Sequence, residues 1–348
     1  MDQPPLDNQT DFFAHPQLLL DKDGEKLAVV IKATWEMPHD RSGPLELAPE
    51  HRMRPLWFAD VPWGEPEIPS IAYAGDLCLR KPGTDVIVVG TAHAPEGKAV
   101  PSFDVLVRAG QLQKAVKVHG LRVWEKNGTG ISEARPISSL EMRYDYAWGG
   151  FDDSDEENVV EEARNPIGMG CVRDPSVLTH QAAPHIEDPA FPISNYKTAP
   201  PPAGIGAIGR SYMPRRKYAG TYDEAWQELR APLLPKDFDD RFNVSASPGL
   251  WSEIPFRGGE AVQLLNLIPG GGVLQFNLPL VGVQVEFEVD GREPLIVKPQ
   301  LDTVLIDVLA IGPEKPIAVE MVWRASTKAP RRMKDSNTIV SEVAVVPT

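Results

Sequence analysis

Cysteine is scarce. Cys78 and Cys171 are the two in 348 residues, and with no CxxC pairing they offer neither a disulfide framework nor a closed zinc site. Positive charge is also short. Thirty-five Lys and Arg against 49 Asp and Glu leave a formal charge of −14, which opposes phosphate backbones and anionic membrane surfaces. Nucleic acid is therefore not an expected partner. The first residues, Met1-Asp2-Gln3-Pro4-Pro5, lack the basic-then-apolar pattern of a signal peptide, and a reducing cytoplasmic compartment is the expectation. One run free of charge, Ala261 to Val285, is long enough to cross a bilayer. It is broken by Pro269, Gly270, Gly271, Gly272 and Pro279 and carries Gln263, Asn266, Gln275 and Asn277, so it predicts two buried strands joined by a turn rather than membrane insertion.

What is present points to an all-β protein with a few short helices. Hydrophobic residues at 42% and charged residues at 24% are ordinary for a folded chain. The 35 prolines are about twice average usage and are excluded from helix interiors and central strands. Residues 20–130 and 255–348 read as mostly strand. Val29-Val30-Ile31-Lys32-Ala33-Thr34-Trp35 and Val86-Ile87-Val88-Val89 are β-branched runs. Phe103, Val105 and Val107, then Val116 and Val118, alternate with polar residues across a turn at Gly110, as in a hairpin with one buried face. Val283, Val285, Phe287 and Val289 alternate likewise, and Asp290-Gly291 turns the chain into Leu295-Ile296-Val297. The length predicts two β-sheet domains, sandwich or barrel-like: residues 1–150, a loop-rich connection over residues 151–255, and a C-terminal sandwich over residues 256–348. The connection holds too many aromatics for a disordered linker. Its best helix spans Asp223 to Arg230, with Thr221 as N-cap and Glu224 completing a capping box.

Three motifs suggest chemistry and lack its context. Gly204-Ile205-Gly206-Ala207-Ile208-Gly209 matches GxGxxG, but prolines precede it where a strand is needed; close packing explains the glycines better. The acidic run Asp152, Asp153, Asp155, Glu156 and Glu157 lacks the spacing of a calcium loop. Cys171, His180 and His185, near Asp174 and Glu187, match no zinc spacing. No catalytic residue, metal ligand or cofactor is assigned, and the chain is not expected to be an enzyme.

The segment from Gly209 to Phe242 is more informative. Arg210, Tyr212, Arg215, Arg216, Tyr218, Tyr222 and Arg241 are of the types enriched at binding hot spots, and they are the candidate partner-binding residues. The same residues also suit a scaffold that pins a long loop by stacking and arginine-to-carbonyl bonds.

Several phrases occur in order along the chain: Lys81-Pro82-Gly83-Thr84-Asp85-Val86, Tyr144-Asp145-Tyr146-Ala147-Trp148-Gly149-Gly150, Arg164-Asn165-Pro166-Ile167-Gly168, Pro214-Arg215-Arg216-Lys217-Tyr218-Ala219-Gly220-Thr221-Tyr222-Asp223 and Leu234-Pro235-Lys236-Asp237-Phe238-Asp239-Asp240-Arg241-Phe242, with Pro69-Ser70, Gly258-Gly259-Glu260 and Asp302-Thr303-Val304-Leu305-Ile306. Together they resemble an uncharacterised-domain family encoded beside type VI secretion spike genes, whose members act as adaptors or chaperones for effectors. The resemblance implies a cytoplasmic protein that binds a PAAR-tipped effector toxin or the VgrG spike and aids loading. A β-sandwich carbohydrate-active hydrolase would instead need paired carboxylates in a cleft, and a component of the spike itself would need symmetric assembly.

Overall fold

The computed structural model describes residues 4–41, 43–64, 70–309, 311 and 315–344. Met1 to Gln3, Pro69 of the Pro69-Ser70 phrase, and the chain end from residue 345 lie outside the described residues. The described residues form an all-β structure with several sheets, none closed into a barrel, and two short α-helices.

The largest sheet has eight strands. Its main path runs Ser139–Glu141, Thr84–His93, Leu301–Val308, Ala318–Lys328, Gly24–Glu36 and Phe13–Asp21. The Thr84–His93 and Leu301–Val308 strands are parallel and the other neighbours on this path antiparallel. The two ends of the chain thus share one sheet. Its inner strands are buried on both faces, which is why they read as continuous β-branched runs rather than alternations.

One face carries Ile31, Val86, Val88, Val304, Ile306, Val319 and Met321, which share a single apolar core with residues of two smaller sheets. The five-stranded sheet runs Ile186–Glu187, Leu112–His119, Ser102–Ala109, Ala261–Leu265 and Val273–Asn277. Its central hairpin pairs Ala109 with Leu112 across Gly110, whose φ of +53° favours glycine. Ala261–Leu265 and Val273–Asn277 are the two strands expected from the charge-free run, and no described helix is long and apolar enough to cross a membrane. The four-stranded sheet orders Leu6–Asn8, Ser336–Val343, Gly282–Val289 and Leu295–Val297.

The expectation of mostly strand over residues 20–130 needs one correction. Between Glu36 and Thr84 the described residues make only strands of two or three residues and a 3-10 turn, because Pro38, Pro44, Pro49 and Pro55 cannot supply ladder N–H groups. This proline-rich segment covers the second face of the central sheet, where charged side chains stand among apolar ones such as Val30, Leu305 and Val322. Lys32 Nζ lies 3.0 Å from Asp76 Oδ2 and 2.5 Å from Glu320 Oε2; Arg54 Nη1 lies 2.6 Å from Asp307 and 3.0 Å from Glu320. Arg324 meets Asp302 and donates to the Asp76 carbonyl. Burial opposes the Arg54 charge, but Glu320 and Asp307 outweigh it and hold its pKa above the ordinary range. Each apolar side chain fully buried on the opposite face contributes roughly 1.5–3 kcal/mol, whereas a buried ion pair nets little against well-packed hydrophobic residues. The charged face therefore fixes register: a one-residue slip of Ala318–Lys328 would drive Glu320 and Arg324 into the apolar core.

Candidate functional site

Residues 144–250 contain little regular structure and are ordered by buried polar contacts. Asn165, fully buried, donates from Nδ2 to the carbonyls of Tyr144 and Trp148, each at 2.9 Å. Gly149 and Gly168 pack so close to Asn165 that a Cβ at either would collide with it. The phrases around Tyr144 and Arg164 thus form one knot. Tyr144 Oη meets Ser247 Oγ at 2.7 Å, and Ser247 Oγ lies 2.8 Å from the Gly206 carbonyl. The GxGxxG run is a buried loop hydrogen-bonded to Val88, with Gly204 under the Tyr144 ring and Gly209 under Tyr212. Gly204 and Gly209 serve close packing, whereas Gly206 has room for a Cβ.

Two other phrases make a second knot on the surface. Helix α1 (Met213–Arg216) and helix α2 (Glu224–Leu229) are joined by a turn that docks on residues 235–242. Gly220, at φ +82°, packs on Pro235 and Phe238, and Thr221 donates from backbone and hydroxyl to Asp237. The expected N-cap is thereby corrected. Asp223, not Thr221, caps α2 by accepting from the Trp226 N–H at 2.8 Å, since the Thr221 hydroxyl is already committed to Asp237. Trp226 donates from Nε1 to the Leu233 carbonyl, and Phe238 is buried.

The seven candidate partner-binding residues divide by burial. Tyr212 lies inside, its ring edge-on to Tyr144 at 6.2 Å. Arg215 is only 4% exposed, donating from Nε to the Phe242 carbonyl at 2.9 Å and from Nη1 to the Ile208 carbonyl at 2.8 Å. Both have the scaffold role open to them in the sequence. Arg210, Arg216, Tyr222 and Arg241 are exposed and Tyr218 is half-buried. The exposed set is preorganised: the Arg241 guanidinium sits 4.2 Å from the Tyr218 ring centre and is fixed by both oxygens of Asp239, while Tyr222 packs edge-on to Trp226 at 4.7 Å. The Arg241 bonds hold the Asp239 pKa down to about 2. Beside this surface, Val244, Ala246, Pro248 and Trp251 help to line a pocket of about 180 Å³. These residues follow the singled-out segment and carry no periodic or compositional signal, so sequence reasoning missed them.

The carboxylates that a hydrolase would need are abundant on the central sheet, but Asp76, Asp307 and Glu320 are each bound to a cation under the covering segment, and the space beside Asp76 and Glu320 is about 10 Å³, no more than one water requires. The signal for this layer was legible, since Lys32, Asp307 and Glu320 each interrupt an apolar run. The suggested zinc residues go to other partners: Glu187 contacts His119 at 2.6 Å and Arg122 at 3.4 Å, His185 Nδ1 faces the His119 carbonyl, and Cys171 packs beside Trp124 and Trp148. Among the described residues no three His, Cys, Asp or Glu side chains converge as metal ligands. In the acidic run, Asp152 accepts from the Arg173 and Ser154 N–H groups and Asp155 meets the Arg173 guanidinium.

No curated protein and no solved structure matches the chain. Residues 22–324 match a bacterial family and span both knots, most of the central sheet, and the arginine and tyrosine surface. The chain therefore belongs to the family described as uncharacterized protein conserved in bacteria (DUF2169).

Proposed function

We propose that this protein is a non-enzymatic cytoplasmic adaptor that binds a PAAR-tipped type VI effector toxin, or the VgrG spike, and stabilises it before loading. The observation that carries the reading is the group of exposed Arg216, Tyr222 and Arg241 with half-buried Tyr218 on two interlocked loops. Arginine and tyrosine combine large contact area with directed hydrogen bonds. Holding them in place beforehand lowers the ordering cost of association. The ordered phrases quoted above support the identity of the client, because they resemble those of secretion adaptors.

The test is to measure melting temperature and client affinity on one set of variants. Arg216→Ala, Tyr218→Ala and Tyr222→Ala are expected to weaken binding by roughly 1–3 kcal/mol each with the melting temperature kept. Phe238→Ala is expected to lower the melting temperature, since deleting a buried aromatic costs about 3–5 kcal/mol. The reading fails if the three surface variants bind the client as tightly as the parent protein does.

A further inference from the structure

Lys32, Arg122, Arg215 and Arg324 are among the buried cations of the described residues. Three meet carboxylates, Lys32 at Asp76 and Glu320, Arg122 at Glu187, and Arg324 at Asp302. Arg215 does not; no described carboxylate lies within 4.0 Å of it, and its bonds go to two backbone carbonyls. The acids that act on it from a distance include Asp85, which is bound to Lys81 and Ser245. Burial pushes the Arg215 pKa down, the direction expected of a cation short of a counter-ion.

Arg215 lines the pocket of about 180 Å³ noted above, together with apolar Ile208, Pro214, Val244, Ala246 and Trp251. Two further cations stand around it. Arg241 lines the pocket, paired with Asp239, and the Lys114 ammonium donates at 2.6 Å to the carbonyl of Pro248, a wall residue, with its pKa lowered to about 8 by burial. A cavity of about 150 Å³ admits benzene, so this space takes one branched-alkyl or ring-sized group. Its walls favour an apolar side chain, while the buried guanidinium favours an anion. A C-terminal residue presents both on one Cα, whereas an internal Asp or Glu brings the carboxylate without filling the walls.

We infer that this pocket captures the C-terminal carboxylate of a partner polypeptide that ends in an apolar residue, with the carboxylate on Arg215 and the side chain against Val244 and Trp251. Terminal carboxylate capture is a recurring mode of peptide recognition. The inference rests on the adaptor reading for the peptide's owner, while the chemistry of the pocket stands without it.

The experiment is calorimetric titration of the full chain with three probes: N-acetyl-Gly-Gly-Leu as the free acid, the same peptide as its C-terminal amide, and N-acetyl-Gly-Asp-Gly-Leu amide. The free acid is expected to bind roughly ten- to a hundredfold more tightly than the amide, the range of a charge-assisted hydrogen bond. Substituting Arg215 could unfold the loop it ties, so the pocket is plugged instead by Val244→Trp, which leaves both Arg215 bonds in place and is expected to abolish binding. Equal affinity for acid and amide, no heat with the free acid in the millimolar range, or undiminished binding to Val244→Trp would overturn the inference. Preference for the Asp-bearing amide would overturn the C-terminal occupant in favour of a side-chain carboxylate. None of these results depends on the client, so failure here is separable from failure of the surface variants to change client affinity.

Discussion

At the scale of single residues, the least replaceable side chains of the irregular region are polar and buried. Asn165→Ala removes the donor shared by the Tyr144 and Trp148 carbonyls, of which Tyr144 still accepts from the Ala147 N–H, and a buried acceptor left without its partner costs about 1–3 kcal/mol. Destabilisation of about 1–3 kcal/mol is expected, read from the midpoint of urea unfolding. Glu187 sets an acid limit. Burial opposes its charge, but hydrogen bonds from His119 and the Ile193 N–H, with Arg122 nearby, hold its pKa below 4.5. The folded pKa is depressed, so the unfolded chain takes up the proton more readily. The stabilisation is present above about pH 4.5, the reference value for Glu, and is lost as pH falls through the folded pKa. Glu187→Gln is expected to flatten the acid side of a stability-versus-pH curve, and an unchanged acid limb would remove Glu187 from this role.

At the scale of elements, α2 is two turns at most and depends on its cap. Asp223→Ala is expected to cost about 0.5–2 kcal/mol locally, read as faster amide exchange at Trp226 with little change in global melting. The hairpin of Ser102–Ala109 with Leu112–His119, the strand pair from the charge-free run and the short helix near Asp223 were all legible in the sequence, because alternation and turn residues are local signals. Pairing across the chain was not: Leu301–Val308 lies parallel to Thr84–His93, more than two hundred residues earlier, and no periodicity encodes such a neighbour. The β-branched stretch from Thr338 reads by itself as a strand that a partner could pair with. Thr338, Ile339 and Val340 are instead paired on both sides, with Leu6–Asn8 and with Gly282–Val289, and Val345 and Val346 lie outside the described residues. The terminal strands of the described sheets include Val273–Asn277 and Leu295–Val297, where Val273, Leu295 and Ile296 are exposed. Composition singles out the arginine and tyrosine side chains of residues 209–242 but not which of them face outward. Whether an arginine such as Arg215 faces inward depends on carbonyls at Ile208 and Phe242, one seven and one twenty-seven residues away, which residue type cannot reveal.

At the scale of the whole molecule, the central sheet binds the first hundred residues to the last fifty. A fragment of residues 1–150 would lose Leu301–Val308 and Ala318–Lys328, the partners of Thr84–His93 and Gly24–Glu36, and would leave Lys32 buried without Glu320. It is expected to lack a cooperative unfolding transition, and a sharp transition in the isolated fragment would show that the sheet is not the unit of stability. The arginine and tyrosine surface is held by the irregular region packed on this frame, and the adaptor reading requires that it meet another protein. The most direct measurement is co-purification of the tagged full-length chain with the separately expressed products of its neighbouring genes. The account predicts that a PAAR-bearing toxin or a VgrG spike protein co-elutes in fixed stoichiometry and is released by Tyr218→Ala combined with Arg216→Ala. Folded protein that retains neither of them would contradict it.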